Sequence, residues 1–456
     1  MRITSRLVGA IIATVVGAVL PFGSVYPWAY WPVLIVVTAI AVWVGLTNRT
    51  LPIRWSVVAL LLAPLVIQLV PLPRDLLTFV APSHMKFLER SVVASVAAVP
   101  SAHPISVAPV LTQHVFLFVA VGICWTGAIA SALRRSIAVD TLTRGLMAAG
   151  GVLALFALVQ RGTFNEKIYW FWQSPAGVAS NYFGPFVNRN HFAGWMVLAI
   201  GLGTGYLNGL LASATRAKRQ DWRSLTLWFG SAEATRIVHV CLLLAVMIVS
   251  VLWSRSRSGM TGTFVAILVV ALTSIAGMPT RTRSYAAAVL PMALVAGAVA
   301  WRGLDPLIAW FGDTSTMTWR FNLWRDSMAP MKDFWPWGAG VNTYGAVMLF
   351  YPQSDPVVHA AQAHNDYVQL AVEGGLLVPA AWTTALIVIA HQIVLRFRQA
   401  QAPMTWWIRL GAVGGLVGLA VQEATDFSLQ IPAVALLFAT VVAVALHEPA
   451  NFQPRH

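Results

Sequence analysis

The feature that most constrains this chain is a train of apolar blocks separated by short polar or Pro/Gly-containing breaks. A helix rises about 1.5 Å per residue, so roughly 20 apolar residues cross the ~30 Å hydrocarbon layer. The blocks here have that length. Inside a bilayer every backbone N–H and C=O needs an internal partner, which runs of this length find as helices. The chain is therefore predicted to be an all-α polytopic membrane protein with about twelve transmembrane helices. The blocks fall near 7–23, 28–46, 55–71, 109–133, 139–160, 191–211, 237–253, 259–277, 285–301, 375–395, 409–424 and 432–447. Only 10% of the 456 residues are charged, against about 25% in soluble domains, which excludes a soluble enzyme. The basic, apolar amino terminus lacks a small-x-small cleavage site and reads as the first span. The whole chain, 1–456, is predicted to be one membrane domain.

The formal charge of +14 invites a nucleic-acid partner, but in a membrane protein the placement of Lys and Arg decides their meaning. With both termini in the cytoplasm, 18 of the 30 basic residues fall on that side against Asp140, Asp221, Glu233 and Glu448. The remaining basic and acidic residues balance outside. The entire excess is thus a positive-inside signal, and no nucleic-acid partner is expected. Trp28, Trp31, Trp43 and Trp55 sit at block ends, where indoles anchor at the interface.

Long connections gather on the outer side, at about 74–108, 161–190 and 302–374. The last is rich in aromatics and is predicted to fold against the membrane face, within the same domain, with short helices at Trp319–Met331 and Pro356–Glu373. On the second of these, Asn365, Gln369 and Glu373 recur at helical spacing as a polar stripe beside His364, suited to a cleft. Cys124 and Cys241 stand alone in apolar blocks, and HExxH, DxD and Cys/His ligand spacings are missing. No metal or cofactor is expected.

Three outer segments concentrate polar chemistry. Gly184–Gly194 carries Arg189, Asn190 and His191 where the sixth block begins. Ser254-Arg-Ser-Arg-Ser-Gly259 squeezes Arg255 and Arg257 into a short turn. The long loop adds Arg320 and His364. Arginine's planar fork suits phosphate oxygens, so an array at headgroup depth fits a diphosphate clamp. The same residues also fit arginines that snorkel to lipid phosphates. A histidine near neutral pKa can take a proton from a sugar hydroxyl, or can be structural. His359 ranks below it, in a segment suited to facing solvent.

These segments resemble the O-antigen ligase and O-antigen polymerase superfamily of bacterial inner membranes. The resemblance rests on Gly184–Gly194 (GPFVNRNHFAG), Ser256-Arg257-Ser258-Gly259, Arg320-Phe-Asn-Leu-Trp324 and Gly338-Ala-Gly340. His364-Asn-Asp-Tyr-Val-Gln369 with Glu373-Gly-Gly375, and Asp426-Phe-Ser-Leu-Gln-Ile-Pro432, complete it. It implies a glycosyltransferase that takes a glycan from undecaprenyl diphosphate on the periplasmic face and passes it to lipid A core, another glycan or a protein. By that resemblance Arg189 and Arg257 hold the diphosphate, with Arg255 and Arg320 assisting, and His364 activates the acceptor hydroxyl. Asn190, His191 and Asn365 fall among the substrate-binding residues. The ligase pattern has glycines four apart after the His-Asn motif, whereas here Gly375 is followed three residues later by Val378. Ligase and polymerase thus both stand as expectations, with a lipid-linked glycan transporter or a glycolipid-binding protein as the competing classes. A transporter favours ionisable groups near the bilayer midplane; here they cluster at span ends.

Overall fold

The computed structural model describes residues 2–47, 53–93, 101–174, 181–216, 230–277, 315–355, 359–399 and 402–448. Its first half contains α1 (Arg2–Val19), α2 (Pro27–Thr47), α3 (Trp55–Leu69), β1 (Pro71–Pro73), α4 (Arg74–Val80), α5 (Pro82–Val93), β2 (Ala102–Pro104), α6 (Pro109–Ala132) and α7 (Ser136–Gly162). There follow α8 (Arg189–Arg216), α9 (Ala232–Ser254), α10 (Arg257–Gly277), α11 (Ser315–Asp326), α12 (Met328–Asp333), α13 (Tyr344–Met348), α14 (Asp366–Gly374), α15 (Leu377–Phe397), α16 (Pro403–Glu423) and α17 (Pro432–Leu446).

Eight of these helices are long and apolar enough to cross a membrane, and Arg6–Val19, Trp55–Leu69 and Pro432–Leu446 are shorter apolar helices. Together they meet eleven of the twelve expected blocks; the remaining one, 285–301, lies outside the described residues. This is an all-α, multi-pass membrane protein, with one antiparallel ribbon of β1 and β2 as its only sheet among the described residues.

Burial orders the bundle. In α8, 89% of the membrane-length window is buried, against 22% in α15 and 28% in α2, so α8 is the central post and the others face outward. Lipid tails give no hydrophobic reward for helix association, and small residues that let backbones touch supply the contact instead. A Cβ added to Gly201 of α8 would lie 2.5 Å from the Gly415 Cα of α16, and one on Gly205 would lie 2.6 Å from the Gly411 Cα. Gly262 of α10 meets Gly418 of α16 in the same way. Helices α8, α10 and α16 therefore cross at backbone contact, and the ends that carry Arg189, Arg257 and Glu423 arrive together.

Arg409, counted among the cytoplasmic-side basic residues, is fully buried in α16. Its guanidinium donates to Arg396 O, Ala445 O and His447 O. It thereby satisfies the orphan carbonyls at the ends of α15 and α17.

Residues 71–93 and 101–107 pack against the segment around Phe334 and Trp337. Leu77, Ala81, Met85, Leu88 and Ile105 form a small core that includes Trp337. Gln68 Nε2 donates to Trp337 O and Glu373 O, and its Oε1 accepts from Val341 N. His84, held near pKa 4 by burial, bonds Gly338 O through Nε2.

Two expectations for the outer loop change. Trp319–Met331 is not one helix but parts of α11 and α12, broken at Ser327, whose Oγ is bonded to Leu323 O and Tyr344 Oη. The helix expected over Pro356–Glu373 begins only at Asp366; residues 356–358 lie outside the described residues. Asn365 is extended and its Oδ1 accepts from Tyr367 N and Val368 N. His364 before it is left-handed, with φ 50°. An Asn that caps with its side chain starts a helix, and a left-handed residue cannot sit inside one.

Candidate active site

Four segments converge. The start of α8 is set by Asn188, whose Oδ1 accepts from Asn190 N while its carbonyl accepts from His191 N. The turn between α9 and α10 is closed by Arg255 in the left-handed conformation, φ 55°, and by Ser256 Oγ, which accepts from Gly259 N. Gly259 abuts Ala193 of α8 so closely that a Cβ would overlap the alanine methyl. That contact brings Arg255 and Arg257 beside Arg189. The third segment is α11, which supplies Arg320, 9% exposed. The fourth is the bend at His364.

Arg189 feels the positive charges of Arg255, Arg161, Arg257 and Arg320. None of Arg161, Arg189, Arg255 and Arg320 forms an ion pair with a described carboxylate. Like charges gathered without local compensation suit an incoming anion with several acceptor oxygens. Arg320 has an acidic counterweight: burial holds its guanidinium below the ordinary range, and Asp426 opposes that fall.

His364 lies edge-on to Trp319, centroids 5.4 Å apart, and to Phe427, 4.9 Å. His191 packs on the same Phe427 at 4.8 Å. Burial, and secondarily the charge of Arg320, lowers the His364 pKa from 6.5 to about 4. The ring is therefore neutral at pH 7, with Nδ1 buried and without a hydrogen-bond partner. A neutral imidazole with an unsatisfied nitrogen can accept a proton or donate one to a ligand, depending on its tautomer. Its backbone is pinned on the preceding residue, where Trp324 Nε1 donates to Ala363 O at 2.9 Å and Ala363 N donates to Gln369 Oε1 at 3.1 Å.

Of the residues picked from sequence, Arg189, Arg255, Arg257, Arg320 and His364 come together. Asn365 does not line a cleft; its side chain is spent on the α14 cap. Gln369 and Glu373 are each 3% exposed and also face inward. Glu373 accepts from Asn342 N (2.8 Å), Tyr344 N (2.9 Å) and Gln369 Nε2 (3.1 Å), so the polar stripe ties loops rather than lining a cleft. Asn190 contributes its carbonyl, which accepts from Gln422 Nε2 at 2.9 Å. His191 is 5% exposed, and His359 is exposed on the surface.

Sequence reasoning missed Arg161 and the turn after α16. Arg161 ends α7 and stacks on Phe164; a lone arginine at a block end gives no spacing signal. The turn was quoted as a motif, yet its work is visible only in three dimensions. Gln422 and Ser428 hold Asn190 O, Asp426 faces Arg320, Phe427 separates the two histidines, and Gln430 Nε2 donates to Asp366 Oδ1 at 2.7 Å. No cluster of three or more metal-ligating side chains occurs among the described residues.

Residues 242–383 match the family model described as O-antigen ligase. The match, confined to this stretch, supports the resemblance to the O-antigen ligase and polymerase superfamily. No curated protein matches the chain. The matched stretch contains Arg255, Arg257, Arg320 and His364. The family's domain therefore covers the base candidate and most of the arginines, while Arg189, His191 and the turn at Asp426 join them from outside it.

Proposed function

We propose that the protein transfers a glycan from undecaprenyl diphosphate to an acceptor hydroxyl at the periplasmic membrane face, as an O-antigen ligase or polymerase. The acceptor is lipid A core, another lipid-linked glycan or a protein. The observation that carries this reading is the convergence of Arg161, Arg189, Arg255, Arg257 and Arg320 on the neighbourhood of one neutral, unsatisfied histidine. The positive-inside pattern supports the bacterial inner membrane with both termini cytoplasmic.

In the proposed step the hydroxyl gives its proton to His364 as its oxygen bonds the anomeric carbon. The bond from that carbon to the diphosphate oxygen breaks, and the electron pair leaves with the diphosphate. Guanidinium donors stabilise the charge that develops there without requiring a divalent ion. Displacement in one step inverts the anomeric centre. Donor binding also prepares the base, because a diphosphate on Arg320 cancels part of the charge that depresses His364.

A general base contributes about 10²–10⁴ in rate. His364→Ala is expected to lose transfer by that factor while donor-lipid affinity stays within about threefold, since the arginines hold the diphosphate. Near-normal turnover by a well-accumulated variant refutes the base assignment and favours a glycolipid-binding role.

A further inference from the structure

The region beside His364 holds two carboxyls that the transfer step does not use. Asp366 is the first residue of α14 and Glu423 the last of α16. Glu423 is 1% exposed. Both of its carboxyl oxygens are buried without a hydrogen-bond partner among the described residues, and the neighbouring carboxyl whose charge it feels most is that of Asp366. Two carboxylates cannot hydrogen-bond each other, and two adjacent charges, one fully and one partly buried, repel. A carboxylic acid donating to a carboxylate resolves both problems.

The groups around the pair agree. Asp366 Oδ1 accepts from Gln430 Nε2, Asp426 adds a further negative charge, and Arg320 directs its own charge at Asp426 and His364. Burial lifts the Asp366 carboxyl to about 6. Tyr367, next in the helix, donates through Oη to Ala420 O at 2.7 Å. The first turn of α14 is thereby fastened to the last turn of α16 at adjacent residues. Two positions upstream stands the left-handed His364, a conformation that persists only where its surroundings fix it.

We propose that Asp366 and Glu423 share one proton and that this pair is the positioning element that seats His364 over the site. The positioning half rests on the reading of His364 as the base. At alkaline pH the pair loses its proton, the two charges push α14 from α16, and the histidine is displaced.

The test uses the full-length protein reconstituted in liposomes. Infrared difference spectra between neutral and alkaline pH are expected to show loss of a carboxylic-acid carbonyl band. The band is expected to be absent in Glu423→Gln and in Asp366→Asn. Its persistence in both variants overturns the shared proton, whether or not the protein transfers glycans. Modification of His364 by diethyl pyrocarbonate, read by mass spectrometry, is expected to rise at alkaline pH in the parent and to stay flat in Glu423→Gln, whose amide keeps a donor and has no proton to lose. An equal rise in that variant overturns the positioning role.

Transfer should follow. Glu423→Gln is expected to keep kcat within about threefold at neutral pH and to lose the alkaline limb, and Glu423→Ala to lower kcat about 10²-fold at unchanged donor KM. Retention of the alkaline limb in Glu423→Gln counts against the pair. A parent protein that transfers nothing refutes the glycosyl-transfer reading instead, and leaves the band and labelling tests standing.

Discussion

Glu373→Gln changes one atom in a side chain that is 3% exposed and receives three N–H donors. Oε1 accepts from Tyr344 N and Gln369 Nε2, and Oε2 accepts from Asn342 N. The amide has one oxygen and one NH₂, so in either rotamer at least one backbone N–H points at a donor. If the oxygen takes the Oε1 place, Asn342 N is orphaned, and Asn342 is itself left-handed at φ 70°. A buried unsatisfied donor costs about 1–3 kcal/mol, and the surviving bonds lose their charge assistance. The loop 338–348 is expected to be destabilised by roughly 2–4 kcal/mol against local opening. At ~1.4 kcal/mol per tenfold, amide hydrogen exchange at Asn342 and Tyr344 should accelerate roughly 30- to 700-fold. Peptide-resolved exchange in detergent measures this directly. Slower transfer should accompany it, because Gln369 links Glu373 to Ala363 and so to the His364 bend. Unchanged exchange across 338–348 would refute the argument that Glu373 is the acceptor organising this loop.

Two further outcomes are expected. Arg189→Lys with Arg257→Lys keeps the charge and loses the planar fork, so donor affinity should fall by tenfold or more; full complementation by the double variant in cells would reduce both arginines to generic positive charge. For pH, the unprotonated His364 is the working form, so transfer should fall as pH drops through its pKa. In the free enzyme that limb of kcat/KM lies near 4, it moves upward in Arg320→Gln, and a limb unmoved by that change would show that Arg320 does not act on the histidine.

The spans were legible because each block announces itself by length and apolarity, and the boundaries of α6 and α10 fall within a few residues of expectation. The arginine segments were legible because guanidinium groups stand out against apolar neighbours. The His364 helix was misjudged although the signal was present: Asn365 followed by Asp366 is a cap followed by an acidic first residue. The burial of Arg409 was not legible, because periodicity does not show the carbonyls of two other helices that its guanidinium meets. The turn at Asp426 was least legible, since its partners Asn190, Arg320 and Asp366 are set by helix crossings rather than by local pattern.

The glycine crossing of α8 and α16 has a mechanical consequence. Where Gly201 meets Gly415 and Gly205 meets Gly411, no side chain intervenes that could hop between rotamers and let the helices slide. The two therefore act as a single beam, and its outer tip bears Arg189, Asn190, Gln422 and Glu423. Under the proposed function, a bulky lipid-linked substrate must enter and leave without bending that beam. Any opening stroke thus falls to the elements mounted on it, above all α11, which carries Arg320 and abuts His364 through Trp319. On that proposal the wall built from α8 and α16 is the fixed one, and adaptation to the substrate is left to the opposite side.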